Sequence, residues 1–297
     1  MYTKQGGVMS ANYTQWPAAL CIVGVLGLMA AAPASAQQFS PSETGAVDVA
    51  ATVDFMNQYI FRGVRQNWTG MAMWPAVEVG VNVHSGEGAL RAIRVGAGFL
   101  NSLHTGDTGR RGPTGKLWYE SRMSGSVGLR FAGGAALGAT YTAFTSPNEM
   151  FTTVKEIAVR AALEGRAAFG VPLDPYALVA FEVDAGPGDG QLDGGLHAGR
   201  YLEIGIAPRF VAGRVALSVP VTTGLSIGDY YELAMDDRTF GFVTVGGVAS
   251  VPLRRGLGAR WRLRGGVHYH ALGAATKVFN GGDRSAVVAS IGLAVSH

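Results

Sequence analysis

The chain has 297 residues, of which 48% are hydrophobic and only 15% are charged. Its formal net charge of +3 gives no reason to expect a nucleic-acid partner, and its single cysteine excludes a disulfide scaffold. After residue 36 no segment approaches the roughly 20 consecutive apolar residues that a membrane-spanning helix needs. Two classes of secreted protein remain: a soluble β-sandwich, and a β-barrel whose apolar residues face lipid.

The first 36 residues have the features of a secretory signal peptide. An apolar run extends from Pro17 to Ala32, and Ala34-Ser35-Ala36 forms a small-x-small cleavage pattern. The run is short for a spanning helix, although an uncleaved membrane anchor is the alternative. We therefore predict a signal peptide at 1–36 and a single barrel domain at 37–297.

About twelve segments of alternating polar and apolar residues follow, and the linkers between them alternate between long and short. The Gly, Pro, Asn and Asp content of these linkers is typical of turns and loops. The predicted longer linkers are 63–73, 104–116, 146–151, 185–199, 224–238 and 272–283, and the short ones are 85–88, 132–134, 164–166, 212–213 and 252–256. Such alternation is typical of a transmembrane β-barrel with short periplasmic turns and long extracellular loops. Both termini then lie on the side of the short turns.

The residue pattern within the segments has the period of two that is typical of β-strands. In the second segment Val77, Val79 and Val81 share one face, whereas Glu78 and Asn82 lie on the other. Many segments are 11 to 15 residues long, which exceeds the average soluble strand and suffices to cross a membrane at a tilt.

The fourth segment and the aromatic residues give further expectations. The alternation places Tyr119 and Met123 on the apolar face and Trp118, Glu120 and Arg122 on the polar face. Aromatic residues near strand ends suit an interfacial girdle, with ordinary strand propensity as the alternative. These residues are Tyr59, Phe61, Trp68, Trp74, Trp118, Tyr141, Trp261 and Tyr269.

The charged faces favour a barrel, because an open sheet in lipid would leave backbone amides unpaired at a cost of several kcal/mol each. We predict an all-β fold: a closed antiparallel transmembrane β-barrel of about twelve strands in a bacterial outer membrane. The predicted lumen-lining residues are Arg94, Glu120, Arg122, Arg130, Arg160, Glu182, Glu203, Arg209, Arg260, Arg262, Arg264, His268 and His270.

Two arrangements of these charges are compatible with the sequence. They either form a solvated channel wall, with weak anion preference near Arg260, Arg262 and Arg264, or pair across a narrow lumen and close it. The number of strands does not distinguish between these two arrangements. Eight strands enclose a filled interior and 16–18 enclose an aqueous channel, and twelve lies between them. An inward fold of the linker 185–199 would also narrow the lumen. The facing carboxylates are Asp48, Asp54, Glu78, Glu120, Glu156, Glu182, Asp184 and Glu203.

The last eight residues, 290–297, resemble the C-terminal assembly signal of bacterial outer-membrane barrels, which reads polar-x-Gly-x-x-apolar-x-aromatic. Ser290, Gly292 and Val295 match it, whereas His297 replaces the usual aromatic residue. The resemblance implies that the outer-membrane assembly machinery is a partner of the chain.

The segment 57–66 carries a second resemblance, through its core Tyr59-x-Phe61-Arg62-Gly63. With the following stretches, 75–80 and 96–102, it resembles the opening of the TorF-type porin family, whose chains begin with a signal peptide and a Ser/Asn-x-Tyr-x-Phe-Arg-Gly strand end. Arg65 departs from the small polar residue that the family tends to have there. The resemblance implies an outer-membrane barrel with a role in transport, and it names no solute.

The Arg62-Gly63 pair suits the point where the first strand turns into the first outer loop. Gly63 allows a backbone conformation that other residues avoid. Arg62 either packs and caps the turn, pairs with a carboxylate of the rim, or binds solute.

Other motifs are weak. His268-x-His270 has metal-compatible spacing but no evident third ligand, and Asp184, Asp189 and Asp193 do not match an EF-hand. No Gly-x-Ser-x-Gly elbow occurs. We predict no metal, no cofactor and no catalytic residue.

We expect passive diffusion of small polar or anionic solutes, with membrane lipid around the barrel. The alternatives are an outer-membrane lipid or ester hydrolase or acyltransferase, and a closed barrel with a structural or adhesive role.

Overall fold

The computed structural model describes residues 47–106, 108, 117–165, 167–168, 171–183, 197–233, 235–253 and 259–297. The predicted signal peptide, the aspartates at 184, 189 and 193, and nearly all of the linker 185–199 lie outside the described residues. No helix in the described part of the chain has the length and apolar character needed to cross a membrane.

Twelve antiparallel strands of the described chain form one closed barrel. They are β1 Val47–Met56, β2 Ala72–Ser85, β3 Leu90–His104, β4 Trp118–Phe131, β5 Ala135–Thr145, β6 Val154–Leu163, β7 Tyr176–Val183, β8 Arg200–Ile206, β9 Val221–Gly228, β10 Phe240–Pro252, β11 Arg260–Leu272 and β12 Ser285–Ser296. Each strand pairs with its sequence neighbours, and β1 pairs with β12 from Ala50 opposite Ser296 to Met56 opposite Ser290. The predicted closed barrel of twelve strands is confirmed.

Two strands are extended beyond a break. The segment Arg209–Ala212 continues β8, and Val215–Ser218 precedes β9, with a tight turn between them at the predicted position. The breaks lie at Pro208 and Pro220, which lack the N–H that a sheet ladder needs.

The described connections contain little regular structure. They hold the short hairpins Ile60–Phe61 with Val64–Arg65, Ala167–Ala168 with Val171–Pro172, and Glu232–Leu233 with Asp236–Asp237, the 3-10 turn Ala132–Gly134, and the helix α1, Ala274–Phe279.

The linker predicted at 164–166 is longer in the structure, because β7 begins only at Tyr176. Pro172 and Pro175 interrupt the ladder that a continuous strand would require.

The two ends of the barrel differ as the linker lengths predicted. His297 donates to the carbonyl of Val49 at 3.0 Å, which places both ends of the described barrel at the short-turn end. The opposite end carries the longer connections 57–71, 105–117, 146–153, 184–199, 229–239 and 273–284. The connection 164–175 is the exception among the short turns.

The two faces of the barrel wall have opposite character. Val77, Val79 and Val81 are about 40% exposed, whereas Glu78 between them is buried. Exposed apolar side chains recur on all twelve strands. A closed barrel with an apolar outer surface satisfies its backbone in lipid, as outer-membrane proteins do, and this confirms the predicted location.

The start of β4 departs from simple alternation. The register between β3 and β4 shifts between Ser102 opposite Glu120 and Leu103 opposite Trp118. Tyr119 is therefore the extra residue of a β-bulge, and it is buried while Trp118 is exposed. The prediction that Tyr119 lies on the apolar face and Trp118 on the polar face is wrong.

Candidate functional site

The first long connection folds inward as a hairpin, which we call the inner hairpin (residues 57–66). Phe61 pairs with Val64 across a two-residue turn of Arg62 and Gly63, whose φ angles are 45° and 83°. Positive φ at both positions is typical of a type I′ turn. A Cβ on Gly63 would lie 2.9 Å from the Phe242 ring, so the close approach to β10 requires glycine.

Arg62 has a positive φ, a backbone conformation that arginine rarely adopts, and the residue is fully buried. Its Nη1 and Nη2 donate to the two carboxylate oxygens of Glu156 at 2.6 and 2.8 Å, and Nη1 also donates to the Tyr230 hydroxyl at 2.7 Å. The guanidinium carbon lies 4.1 Å from the centre of the Tyr201 ring. Burial alone would lower the pKa of Arg62, but the charge and hydrogen bonds of Glu156, together with the nearby Tyr230 and Tyr201, outweigh it and raise that pKa well above its usual value. Arg62 is therefore held as a cation.

The backbone of the hairpin tip is bound by two other long connections. The Tyr231 hydroxyl donates to the Arg62 carbonyl at 3.0 Å. The Asn280 side chain donates to the Gly63 carbonyl at 2.8 Å and accepts from the amide of Arg65 at 2.9 Å. Three of the longer connections thus meet at the turn.

The base of the hairpin is fixed to the opposite side of the barrel. The Asn57 side chain donates to the carbonyl of Val287 at 3.1 Å and accepts from the amide of Ala289 at 2.9 Å. Both partners lie on β12, whereas Glu156 lies on β6, six strands away in either direction around a ring of twelve. The inner hairpin therefore crosses the barrel interior at the long-loop end.

Aromatic packing fills the space beside the hairpin. Tyr59 meets Trp74 with 4.6 Å between ring centres, and Phe61 meets Phe144 with 5.7 Å. Tyr119 belongs to the same buried cluster. Large aromatic side chains pack closely in protein interiors. Here they fill the interior of the barrel at the long-loop end as a hydrophobic core.

This packing corrects part of the predicted aromatic girdle. Tyr59, Phe61 and Trp74 are buried, so their placement in a girdle is wrong. Tyr59 and Phe61 lie on the inward-folded hairpin, and Trp74 of β2 packs against Tyr59. The exposed members of that set are Trp68, Trp118, Tyr141 and Tyr269.

A hydrogen-bonded triad lies beneath the hairpin. The Tyr59 hydroxyl donates to the Glu120 carboxylate at 3.1 Å. Arg122 donates to both Tyr59 and Glu120 and lies 5.1 Å from the Phe61 ring centre. Two predicted lumen residues are thereby engaged by the loop.

Other predicted lumen residues form ion pairs along the wall. Arg94 of β3 binds Asp48 of β1 at 2.5 Å and Glu78 of β2 at 3.0 Å. Arg264 of β11 donates to Asp54 of β1 at 2.7 Å. These pairs join strands that are one or two apart in the sheet. They therefore stabilise the wall and do not cross the lumen.

Two further arginines are paired near the short-turn end. Arg130 lies 2.9 Å from the Glu164 carboxylate, and Arg209 donates to Asp174 at 3.0 Å. Both carboxylates belong to the 164–175 connection. That connection thus neutralises two of the predicted lumen cations.

Three predicted lumen arginines have no ion pair among the described residues. Arg160 lies 4.4 Å from the Tyr176 ring centre and is half-buried. Arg260 is exposed and Arg262 half-buried at the short-turn end. Of the three arginines Arg260, Arg262 and Arg264, the first two thus have no carboxylate partner in the described part of the chain, whereas Arg264 pairs with Asp54.

The remaining predicted residues are buried. Glu203 accepts from the Tyr201 and Tyr176 hydroxyls at 2.7 and 2.8 Å. Glu182 accepts from the backbone of Gly199 at 2.8 Å.

The two histidines of β11 share the buried face. His270 Nδ1 lies 2.8 Å from the Thr244 hydroxyl, and both nitrogens of His268 lack a hydrogen-bond partner in the described structure. No group of three or more His, Cys, Asp or Glu residues that could hold a metal occurs within the described ranges. That the predicted residues line a conducting pore stays a prediction.

A Ser–His pair occurs that the sequence reasoning missed. Ser102 Oγ lies 2.8 Å from His104 Nε2, and the Trp74 indole donates to Ser102 at 2.8 Å. The i, i+2 spacing on one strand face was the available signal. Both residues are at most 1% exposed, and His104 Nδ1 has no partner in the described structure. The pair lacks substrate access and the third group that orients a catalytic histidine.

Comparison with known proteins gives no family assignment. No protein-family model matches the chain, and no curated protein matches it significantly. The TorF-type similarity therefore stays a resemblance.

Several solved outer-membrane barrels are weakly similar. The COG4313 outer membrane channel from Pseudomonas putida F1 is 11% identical, with 88% of this chain and 100% of that chain covered and a TM-score of 0.46. The NanC porin is 9% identical, with 84% and 98% covered and a TM-score of 0.42. The translocator domain of the autotransporter NalP from Neisseria meningitidis is 11% identical, with 85% and 88% covered and a TM-score of 0.40. Likeness at this level identifies neither a solute nor a mechanism, so the function has to be argued from the interior of this barrel.

Proposed function

We propose that this protein is an outer-membrane channel through which small polar or anionic solutes diffuse passively. The observation that carries the proposal is the contrast between an apolar outer surface and an inner wall of charged residues. Arg260 is exposed and Arg262 is half-buried, and neither has a carboxylate partner among the described residues. Because an unpaired charge is costly in a dry interior, these two residues favour a hydrated lumen at the short-turn end.

Weak anion preference follows from the balance of charges on that wall. Most inner arginines are offset by a carboxylate along the sheet. Arg160, Arg260 and Arg262 have no such partner among the described residues, and an excess of positive charge attracts anions.

Planar-bilayer recording of the mature protein, residues 37–297, tests the proposal. We expect discrete conductance steps and, under a potassium chloride gradient, a reversal potential shifted toward that of chloride. A second protein, with residues 60–65 replaced by a Gly-Ser linker, removes the hairpin from the interior. A folded barrel of both forms that gives no steps would contradict the channel proposal.

A closed structural barrel is the second candidate, favoured by the aromatic packing that fills the long-loop end. The same recordings decide between the two, because a structural barrel stays silent when the hairpin is absent. An acyl hydrolase has less support, since Ser102 and His104 are enclosed.

Recognition by the outer-membrane assembly machinery is also proposed. The matching residues lie on β12, the strand that closes the barrel against β1. Deleting residues 290–297 should leave the protein outside the membrane fraction, which fractionation of expressing cells would measure.

A further inference from the structure

We propose that the inner hairpin is a gate, and that the ion pair between Arg62 and Glu156 is the latch that holds it closed. This inference rests on the proposed channel function and adds its regulation. The gate closes the long-loop end of the barrel; opening requires the tip to leave β6 while the base stays on β12.

The hairpin can move without breaking the barrel. Its two short strands pair only with each other, as a separate sheet, and they are not part of the ladder of any barrel strand. The side chain of Asn57 fixes the base to β12, as the hydrogen bonds to Val287 and Ala289 describe. A hairpin that is attached at its base and held at its tip by side chains has the construction of a hinged flap.

The latch is the strongest polar contact between the tip and the wall. A bidentate arginine–carboxylate pair combines charge with fixed geometry. Both side chains are at most 5% exposed, so removing one partner would leave an unpaired buried charge. The closed state thus depends on both members, and the loss of Glu156 acts directly on the contact between gate and wall.

The backbone at the tip is consistent with a held state. Arg62 has a φ of 45°, a region that non-glycine residues occupy when their surroundings impose it. Here the imposed contacts are the latch, the Tyr231 hydroxyl and the Asn280 side chain. Because the type I′ turn itself requires this φ, release of these contacts would let the hairpin move as a unit.

The latch also reaches two other long connections. Tyr230 binds the same guanidinium as Glu156, and Asn280 binds the backbone beside it. Movement of either connection would therefore change the hydrogen bonds at Arg62 and Gly63. This arrangement couples the outer end of the barrel to the gate.

Cysteine labelling tests the gate independently of conductance. Val64 is 7% exposed in the closed hairpin, so a Val64→Cys protein on a Cys21→Ser background should react slowly with a membrane-impermeant maleimide. Adding Glu156→Gln should raise the labelling rate at least about tenfold. The matched control is Glu149→Gln, which removes an exposed carboxylate from the connection before β6; its labelling rate should equal that of the parent.

Conductance gives the second readout. Glu156→Gln should raise the open probability in planar bilayers at least about tenfold over wild type, whereas Glu149→Gln should not. Tyr230→Phe is a milder variant that removes one hydrogen bond to Arg62 and leaves no charge unpaired, so a smaller rise is expected. It replaces Glu156→Gln in both assays if that protein does not fold, as judged by heat-modifiable electrophoretic mobility.

The double variant Arg62→Gln, Glu156→Gln separates the latch from a general loss of packing. Since the second substitution removes a contact that the first has already broken, the double variant should label at about the rate of Glu156→Gln alone. A labelling rate at which the separate effects of Arg62→Gln and Glu156→Gln multiply, or a return to the wild-type rate, would contradict the latch.

The failures of the two proposals are distinguishable. Wild-type conductance with unchanged labelling and open probability in Glu156→Gln would overturn the gate and leave the channel. Silence of every folded form, including the one without residues 60–65, would overturn the channel, and the labelling experiment would still decide the latch.

Discussion

At the residue scale, the turn Arg62-Gly63 concentrates the unusual features of the molecule. Both residues have positive φ, both lie in the interior, and Arg62 makes two hydrogen bonds to one carboxylate. Of the three roles open to Arg62, the structure displays two: it packs against the Tyr201 ring at the turn, and it pairs with a carboxylate, that of Glu156. The pairing depends on a hairpin that points into the barrel.

Gly63 gives the first prediction. Gly63→Ala should lower the free energy of unfolding by about 1–2 kcal/mol, because an L-residue is disfavoured at φ 83° and its Cβ would meet Phe242. Urea titration of the folded barrel measures this. Gly88→Ala is the control, since its Cβ would meet nothing within 4 Å, and an equal loss in both would contradict the explanation.

Arg160 gives the second prediction, on selectivity. Arg160→Gln should move the reversal potential under a potassium chloride gradient toward zero, because it removes an interior cation without a carboxylate partner in the described structure. Arg160→Lys keeps the charge and should retain the wild-type potential. Identical potentials for the Gln and wild-type proteins would exclude Arg160 from the conduction path.

At the element scale, the barrel strands are connected by two kinds of interaction. Backbone ladders join each strand to its neighbours, and buried ion pairs reach strands further along the wall. Gly80 and Gly292 leave space for the side chains of Arg94 and Asp54. The inner hairpin has side-chain contacts alone on the far wall, so it is the element most able to move.

The ion pairs along the barrel wall give the third prediction. Asp54→Asn should lower the free energy of unfolding by about 2–3 kcal/mol, because it removes the ion pair of Arg264 with β1. Glu78→Gln should cost less, about 1 kcal/mol, since Arg94 keeps Asp48. Urea unfolding compares the two. A larger loss of unfolding free energy for Glu78→Gln would contradict the idea that an arginine with a second carboxylate partner tolerates the loss of the first.

At the scale of the whole molecule, closure determines solubility and stability. The pairing of β1 with β12 closes the twelve barrel strands of the described chain into a ring. The outer surface is then apolar around the circumference, and the polar residues are enclosed.

Closure gives the fourth prediction. The mature protein should require detergent, and the unboiled protein should migrate differently from the boiled one in electrophoresis, because a closed barrel resists unfolding by detergent at room temperature. A form that stays dissolved without detergent and migrates identically under both conditions would contradict the barrel. Circular dichroism of the same samples controls for β-structure.

The sequence by itself determined the barrel. Period-two alternation, strand lengths and alternating linker lengths are local properties, and in lipid they require a closed arrangement, which the number of segments put at about twelve strands. Local signals also identified which residues alternate inward on most strands, including Glu78, Arg94 and Arg264. Where a local irregularity intervened, at the bulge of Tyr119 and at the prolines before β7, alternation alone failed.

Only the tertiary structure decided what fills the barrel. The Tyr-x-Phe-Arg-Gly segment has the same composition whether it faces water, lipid or the lumen, so its direction was not encoded in any short window. Its burial depends on Glu156, Tyr230 and Asn280, which are 94, 168 and more than 200 positions away in the chain. Contacts between such distant residues exist only after the ring has closed, and they place the first loop inside it.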